Sequence, residues 1–194
     1  MKKTILIAYS LLIVISSSAQ FSFGFKAAAG ASNTPYEGLD YKMRPSLAAG
    51  GYLKYQHNKI YFQSEFMWTL KGYKYTTVGN DTEHTSYHYL NMPLLAGFLV
   101  GNTFSIEIGP EFGYLLNGEG AKMQDRETKK YDLGAAAGFA LRLTDKVNIG
   151  ARYVQGLIKV DRLVIGGMPP VTEPETRELG KNQSFHLSLS MTIN

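Results

Sequence analysis

Two sets of side chains are suited to catalysis or metal binding. His186 and Ser188 lie two residues apart near the C-terminal end, and an imidazole beside a hydroxyl is the pair from which a lipid esterase builds its nucleophile. Glu65 or Glu107 would then orient the imidazole. Residues two apart on a strand are separated by about 7 Å. Because this exceeds hydrogen-bond reach, we predict that the pair is not catalytic and that the protein is not an enzyme.

His84 and His88, with Asp81 and Glu83 nearby, offer nitrogen and oxygen ligands of the kind that bind divalent cations. Their spacing matches no metal-binding motif. The chain also contains no cysteine that would supply a thiolate ligand or nucleophile. We therefore expect an ordinary solvated loop here, with no metal and no cofactor.

A third set of residues is charged and lies inside apolar runs. They are Lys26, Lys54, Glu65, Glu107, Glu111, Arg142 and Arg152. Glu107, for example, stands between Ile106 and Ile108. Because successive side chains of a strand point to opposite faces, the charges share one face and the apolar residues the other. Unpaired buried charges are strongly unfavourable, so we expect a structural network inside the protein rather than a catalytic or transport site.

Alternation with a period of two residues predicts the elements that position these side chains. We predict eight strands, at Phe21–Ala31, Pro45–Gln56, Lys59–Gly72, Ser86–Val100, Thr103–Asn117, Lys130–Leu143, Lys146–Ile158 and Asn182–Ile193. Two-residue turns at His57–Asn58, Gly101–Asn102 and Thr144–Asp145 alternate with long loops at Ser32–Arg44, Tyr73–Thr85, Gly118–Lys129 and Lys159–Lys181. The runs Ala27–Ala31 and Gly134–Gly138 are predicted as strands whose small residues face a cramped interior, with a helix as the alternative.

The alternation fits two kinds of barrel, because a soluble lipocalin-like barrel shows the same period. Charges of both signs beside many glycines on the polar face, and short turns alternating with long loops, are typical of an outer-membrane barrel. Aromatic residues near predicted strand ends fit membrane interfaces: Phe21, Tyr55, Trp68, Tyr73, Tyr75, Tyr87, Tyr114 and Tyr153. We predict an all-β fold, an eight-stranded antiparallel up-and-down transmembrane β-barrel, monomeric, in the bacterial outer membrane.

The first nineteen residues have the order of a secretory signal peptide: two lysines, an apolar run, then serines and an alanine. We predict that residues 1–19 are removed and that residues 20–194 form the barrel domain. Loss of Lys2 and Lys3 lowers the formal charge from +4 to +2, so charge gives no indication of nucleic-acid binding.

Three stretches carry a family resemblance. They are Tyr61–Gly72 (YFQSEFMWTLKG), Tyr89–Ala96 (YLNMPLLA) and Phe104–Leu115 (FSIEIGPEFGYL). Together they resemble the PorT-like outer-membrane β-barrel proteins of Bacteroidetes, often called porin-family proteins. The resemblance implies an outer-membrane location and, in one branch, a part in gliding or protein secretion, and it supplies no catalytic motif. Asn91 stands where the family often has glutamate, and the chain ends in Thr192-Ile193-Asn194 rather than in the terminal aromatic common to other outer-membrane barrels.

The function expected from the sequence is non-enzymatic. We predict a membrane scaffold that contacts outer-membrane lipid and binds a protein partner through its long loops, which are exposed on a rigid support. Two alternatives stay open: passage of small solutes or ions, and a soluble periplasmic lipocalin-like barrel that binds an apolar ligand.

Overall fold

The barrel wall is formed by long strands that each bond to the next long strand along the chain. A computed structural model of the protein describes residues 20–35, 41–76, 82–120, 126–165 and 175–193. The predicted signal peptide, residues 1–19, lies outside the described residues. Within them eight antiparallel strands form a closed barrel, because the first strand also pairs with the last. No helix in this part of the chain is long and apolar enough to cross a bilayer.

The barrel strands agree with all eight predicted strands. They are β1 (Phe21–Asn33), β2 (Tyr41–His57), β3 (Ile60–Thr76), β4 (Thr82–Val100), β5 (Phe104–Gly120), β7 (Tyr131–Arg142), β8 (Val147–Gly156) and β11 (Gln183–Thr192). Three short strands form a second antiparallel sheet outside the barrel: β6 (Arg126–Thr128), β9 (Asp161–Ile165) and β10 (Glu175–Leu179). The prediction of an eight-stranded antiparallel barrel is therefore confirmed.

Several predicted boundaries were wrong at the long-loop end. β2 begins at Tyr41, β3 ends at Thr76 and β4 begins at Thr82, so these strands extend into regions predicted as loops. Beyond the hydrocarbon layer neither face of a strand has to be apolar, so the alternation that marks a strand in the sequence disappears although the hydrogen-bond ladder continues. The last two predicted loops contain the strands of the second sheet.

The first short turn lies one residue later than predicted. His57 still pairs with Ile60, which leaves Asn58 and Lys59 as the turn residues. Asn58 has a φ of 54°, in the left-handed region that asparagine tolerates better than most residues. The other turns occupy residues 101–103 and 143–146, so all three short connections lie at the same end of the barrel.

The outer surface of the barrel is a belt of exposed apolar side chains. The large residues with at least half of their surface exposed include Phe25, Ile60, Phe62, Phe66, Ile106, Ile108, Leu187, Leu189 and Met191. The inner face carries the polar and charged residues. This arrangement excludes the soluble alternative, which requires an apolar interior and a polar exterior.

Aromatic residues follow the predicted interface pattern only in part. Phe21 packs against Tyr55 near the short turns with ring centroids 4.9 Å apart, and Tyr114 packs against Tyr131 near the opposite end at 5.4 Å. The interface prediction for Tyr73 and Tyr87 was wrong, since both are buried inside the barrel. Each lies an even number of residues from an inward-facing neighbour on its strand, so parity places its ring in the interior. The side chain of Tyr75 lies outside the described residues.

The alanine-rich runs are strands, as predicted, but only part of their small residues face the interior. Gly134 and Ala136 are buried, whereas Ala135 and Ala137 are exposed on the outer face. The period of two applies to small residues as it does to large ones, so a run of alanines contributes to both faces.

Arginine substitutions on the outer face test whether the belt meets lipid. Ile108 is 63% exposed in the first half of β5. Ile108→Arg should lower the free energy of unfolding by about 2–4 kcal/mol, which is the cost of a charge at bilayer depth. Leu143, 57% exposed at a short turn, is the matched control, and Leu143→Arg should cost about 0–1 kcal/mol. Urea unfolding in phosphatidylcholine bilayers measures both. Equal losses at the two positions would contradict a lipid-facing belt.

Candidate functional site

The candidate site is the polar interior, where the predicted charged residues lie on the inner face of their strands. Three of them are carboxylates with almost no exposed surface: Glu65 (0%), Glu107 (5%) and Glu111 (6%). Two cations, Lys26 and Arg152, are also largely buried. The structure therefore brings both signs of charge into one narrow space.

Arg152 is the centre of the main ion-pair network. Its guanidinium donates to both oxygens of the Glu65 carboxylate at 2.7 Å, and to Oε1 of Glu107 at 2.6 and 3.0 Å. The Lys26 ammonium donates to Glu65 at 2.8 Å, and the Gln63 amide donates to the same carboxylate at 2.6 Å. Two cations and two carboxylates thus balance one another, which offsets the cost of burying them.

The four charged residues of this network form one layer across the barrel. Lys26 lies on β1, Glu65 on β3, Glu107 on β5 and Arg152 on β8. These are alternate strands in the order around the barrel, β1-β11-β8-β7-β5-β4-β3-β2. In a narrow barrel the side chains of one layer come from alternate strands, because strand tilt staggers neighbouring strands along the axis.

Glycines on the intervening strands leave room for this layer. Gly138 on β7 is the cross-strand partner of both Glu107 and Arg152. A Cβ atom at Gly138 would lie 2.6 Å from the Ala151 carbonyl oxygen and 3.3 Å from Arg152 Cβ. Gly97, on β4, leaves space for the Tyr61 ring in the same way, since a Cβ there would lie 2.0 Å from Tyr61 Cζ. These two glycines therefore have a steric reason.

A second ion pair lies closer to the long loops. The Lys71 ammonium donates to Glu111 at 3.0 Å, and the Asn91 amide donates to the same oxygen at 2.7 Å. Lys71 was absent from the predicted network, although it lies six residues from Glu65 on the same strand. Three further steps of two residues along β3 from Glu65 lead to Lys71, so the alternation itself places Lys71 on the same face.

Tyrosine rings fill the interior beyond this pair. Tyr73 and Tyr87 have ring centroids 6.2 Å apart, and those of Tyr87 and Tyr89 are 6.3 Å apart. Leu115 packs against the three rings. The interior is therefore closed by side chains at this level as well.

His186 does not pair with Ser188. Its Nε2 lies 2.8 Å from the Ser46 hydroxyl, which itself donates to the Leu70 carbonyl at 2.6 Å. The tautomer of the imidazole decides which of the two groups donates in the His186–Ser46 hydrogen bond. Ser188 instead lies 3.5 Å from the Gly150 carbonyl. The two orienting candidates, Glu65 and Glu107, bind Arg152.

The histidine group considered as a metal site is only partly described. His88 is half-buried, with its ring centroid 5.6 Å from that of Trp68. Asp81 and the side chains of Glu83 and His84 lie outside the described residues. Elsewhere in the described ranges, no three histidine, aspartate or glutamate side chains are grouped so that they would hold a metal ion.

The described part of the barrel encloses at least two small cavities. One, of about 30 Å³, lies between the two ion-pair groups. The other, of about 40 Å³, lies towards the short turns and is bordered by Lys54 and Arg142. A single water needs about 10–15 Å³ of such space, so each cavity has room for a few waters. Lys54 and Arg142, both predicted in the network, make no ion pair with a described carboxylate.

Comparisons with known proteins agree with this architecture. The family model described as "Outer membrane protein beta-barrel domain" matches residues 15–162. Neisserial surface protein A (NspA) is 12% identical over 87% of this chain and 96% of its own, with a TM-score of 0.52. Ail of Yersinia pestis, solved in complex with the heparin analogue sucrose octasulfate, is 13% identical over 90% of this chain and 99% of its own, also with a TM-score of 0.52. No curated protein sequence matches the chain. At identities this low, the structural similarity shows the fold alone.

Removing the central cation should destabilise the barrel strongly. Arg152→Met leaves Glu65 and Glu107 buried without their main partner, which should lower the free energy of unfolding by about 3–5 kcal/mol. Arg142→Met is the matched control, since no described carboxylate loses a partner, and should cost less than about 1 kcal/mol. Urea titrations of the folded protein in detergent micelles compare the two.

A compensating variant separates charge from packing. Adding Glu107→Gln to Arg152→Met removes the stranded carboxylate, leaves Lys26 paired with Glu65 and should recover part of the lost stability. If this double variant is less stable than Arg152→Met alone, the network does not act through charge balance.

Proposed function

The chain belongs to the outer membrane protein beta-barrel domain family, and on this premise we propose that it is a non-enzymatic surface protein whose long loops bind a protein partner. The protein is an eight-stranded barrel of the bacterial outer membrane, and the barrel acts as a rigid support. In this proposal residues 1–19 are a cleaved signal peptide and the mature protein is a monomer in contact with membrane lipid.

The observation that carries the proposal is the three-stranded sheet formed by the last two long loops. β9 and β10 pair as a hairpin, with Leu163 opposite Arg177, and β6 from the preceding loop pairs with β9. Lys129 N–H donates to the Val160 carbonyl at 2.7 Å and joins the two loops close to the barrel, and Val160 N–H donates to the Gly180 carbonyl at 3.0 Å and ties the two ends of the last loop together. Loops ordered on a rigid scaffold are common sites of recognition.

The edges of this sheet indicate how a partner would bind. β6 and β10 each pair on one side only within the described residues. A strand with an unpaired edge presents backbone N–H and C=O groups that accept an extended segment of another protein. We infer that the partner adds a strand to this sheet, with side chains of the loops providing selectivity.

The charges of the last loop favour a protein over a polyanion. Residues 159–181 contain four basic and four acidic residues: Lys159, Arg162, Arg177 and Lys181 against Asp161, Glu173, Glu175 and Glu178. A sulfated sugar such as the heparin analogue bound to Ail requires a surplus of positive charge, and this loop has none. A partner with mixed polar groups fits the balance better.

The interior supports a role without catalysis. His186 is hydrogen-bonded to Ser46 rather than to Ser188, and the two carboxylates that would orient it are bound to Arg152. The strand motifs that resemble the PorT-like proteins of Bacteroidetes extend the proposal to an origin in that group, with a partner from a gliding or secretion system.

Site-specific crosslinking in intact cells tests the loop interface. A photo-activatable residue at Arg177, on β10, should form a discrete adduct with one partner protein in the native host, because an added strand would lie beside it. The same residue at Lys146, exposed at a short turn, is the control and should give no such adduct. Absence of an adduct from Arg177 and from further sites on β6 and β10 would contradict the proposed interface.

Conductance measurements test the alternative of solute or ion passage. The purified protein should give no steady conductance above that of the bare bilayer, because its two cavities are small and the ion-pair layer lies between them. A steady conductance that scales with salt concentration would favour ion passage over a closed scaffold.

A further inference from the structure

The cavity near the short turns has a composition that the ion-pair network does not explain. Lys54 lies near the end of β2, Arg142 is the last residue of β7, and Asn148 is the second residue of β8. All three border the cavity of about 40 Å³. In outer-membrane barrels the end with the short turns faces the periplasm, so this cavity lies at the periplasmic mouth of the barrel.

The wall of this cavity carries more positive than negative charge. Its charged residues are Lys26, Lys54, Glu107, Arg142 and Arg152. Lys26 and Arg152 are balanced by Glu65 and Glu107 in the network. Lys54 and Arg142 are therefore left with two positive charges that no described carboxylate contacts. The Lys54 ammonium lies 4.1 Å from the centroid of the Tyr61 ring, a contact that stabilises the cation without neutralising it.

Two half-buried cations on one cavity wall are unfavourable unless an anion joins them. A guanidinium presents paired N–H donors that match the oxygens of a phosphate or sulfate, and an ammonium adds a compact charge. The amide of Asn148 lies on the same wall. The charge, the donors and the position all favour an oxyanion.

We propose that the periplasmic mouth of the barrel binds a doubly charged tetrahedral oxyanion, of the phosphate or sulfate type, through Lys54 and Arg142. A dianion matches the two surplus positive charges, whereas a single carboxylate neutralises only one. The cavity has space for roughly three waters, enough for one oxyanion group but not for a sugar ring beside it. The rest of a larger phosphorylated ligand would remain in the periplasm.

Titration with inorganic phosphate tests this site. Wild-type protein, folded in zwitterionic detergent in phosphate-free buffer at constant ionic strength, should bind phosphate, measured by calorimetry. Lys54→Gln and Arg142→Gln should each weaken binding by about tenfold or more, the value of one charge-assisted contact. The matched controls are Lys59→Gln and Lys146→Gln, which remove exposed charges at the same end of the barrel and should leave the affinity unchanged.

Two further experiments separate specific binding from loss of the fold and from non-specific attraction between opposite charges. Arg142→Lys keeps the charge and should retain more affinity than Arg142→Gln. Electrophoresis in detergent with and without boiling checks that the variant is folded, because a closed barrel resists unfolding until it is heated, and the change in mobility should equal that of wild type. Sulfate should compete with phosphate, and acetate should bind at least about tenfold more weakly. Glycerol phosphate that competes as well as inorganic phosphate would point to a group carried by a larger ligand, and weaker competition would point to the free ion; both support the site.

Three results would overturn the proposal: no phosphate binding by wild type, equal affinity in the Lys54→Gln and Arg142→Gln variants, or equal binding of acetate and phosphate. The site lies at the opposite end of the barrel from the loop sheet, so its failure would leave the proposed loop interface untouched.

Discussion

The ion pairs that Arg152 makes with Glu65 and Glu107 determine how the rest of the barrel is arranged. An eight-stranded barrel is just wide enough for side chains to fill it, and a guanidinium placed there must be neutralised within that width. Carboxylates from two other strands neutralise the guanidinium, and an ammonium from a third strand balances the second negative charge. Opposite them, a Cβ at Gly138 would lie 2.6 Å from the Ala151 carbonyl oxygen and 3.3 Å from Arg152 Cβ, so the position has no room for a side chain.

The bilayer imposes the complementary constraint on the outer face. Every backbone group in the hydrocarbon layer must find a partner within the protein, and only a closed ladder of strands does so without an edge. Outward side chains are apolar for the same length of each strand. Above that height the constraint ends, and the strands and loops are free to adopt polar sequences and to form the second sheet.

These two constraints leave the two ends of the barrel for the proposed loop interface and the proposed oxyanion site. The middle is filled by ion pairs and tyrosine rings, and the outer wall meets lipid. Neither ion pairs nor lipid cover two parts of the protein. These are the sheet of the long loops and, at the opposite end, the cavity wall that carries Lys54 and Arg142. His186 and Ser188, which suggest a catalytic pair in the sequence, are hydrogen-bonded to other residues. The imidazole of His186 lies 2.8 Å from the hydroxyl of Ser46, which comes from a strand distant in sequence.

The sequence by itself determined the class of fold, the eight strands and the face on which each charge lies, because a period of two is a local property of the extended chain. The same parity places Lys71 on the inner face with Glu65, and it would have placed Tyr73 there as well. Only the tertiary structure decided which charges meet: Glu65 and Arg152 are 87 residues apart, and the closure and stagger of the strands bring them to one layer. It also decided that two loops join in one sheet, since that pairing lies outside the lipid, where no apolar alternation marks the strands.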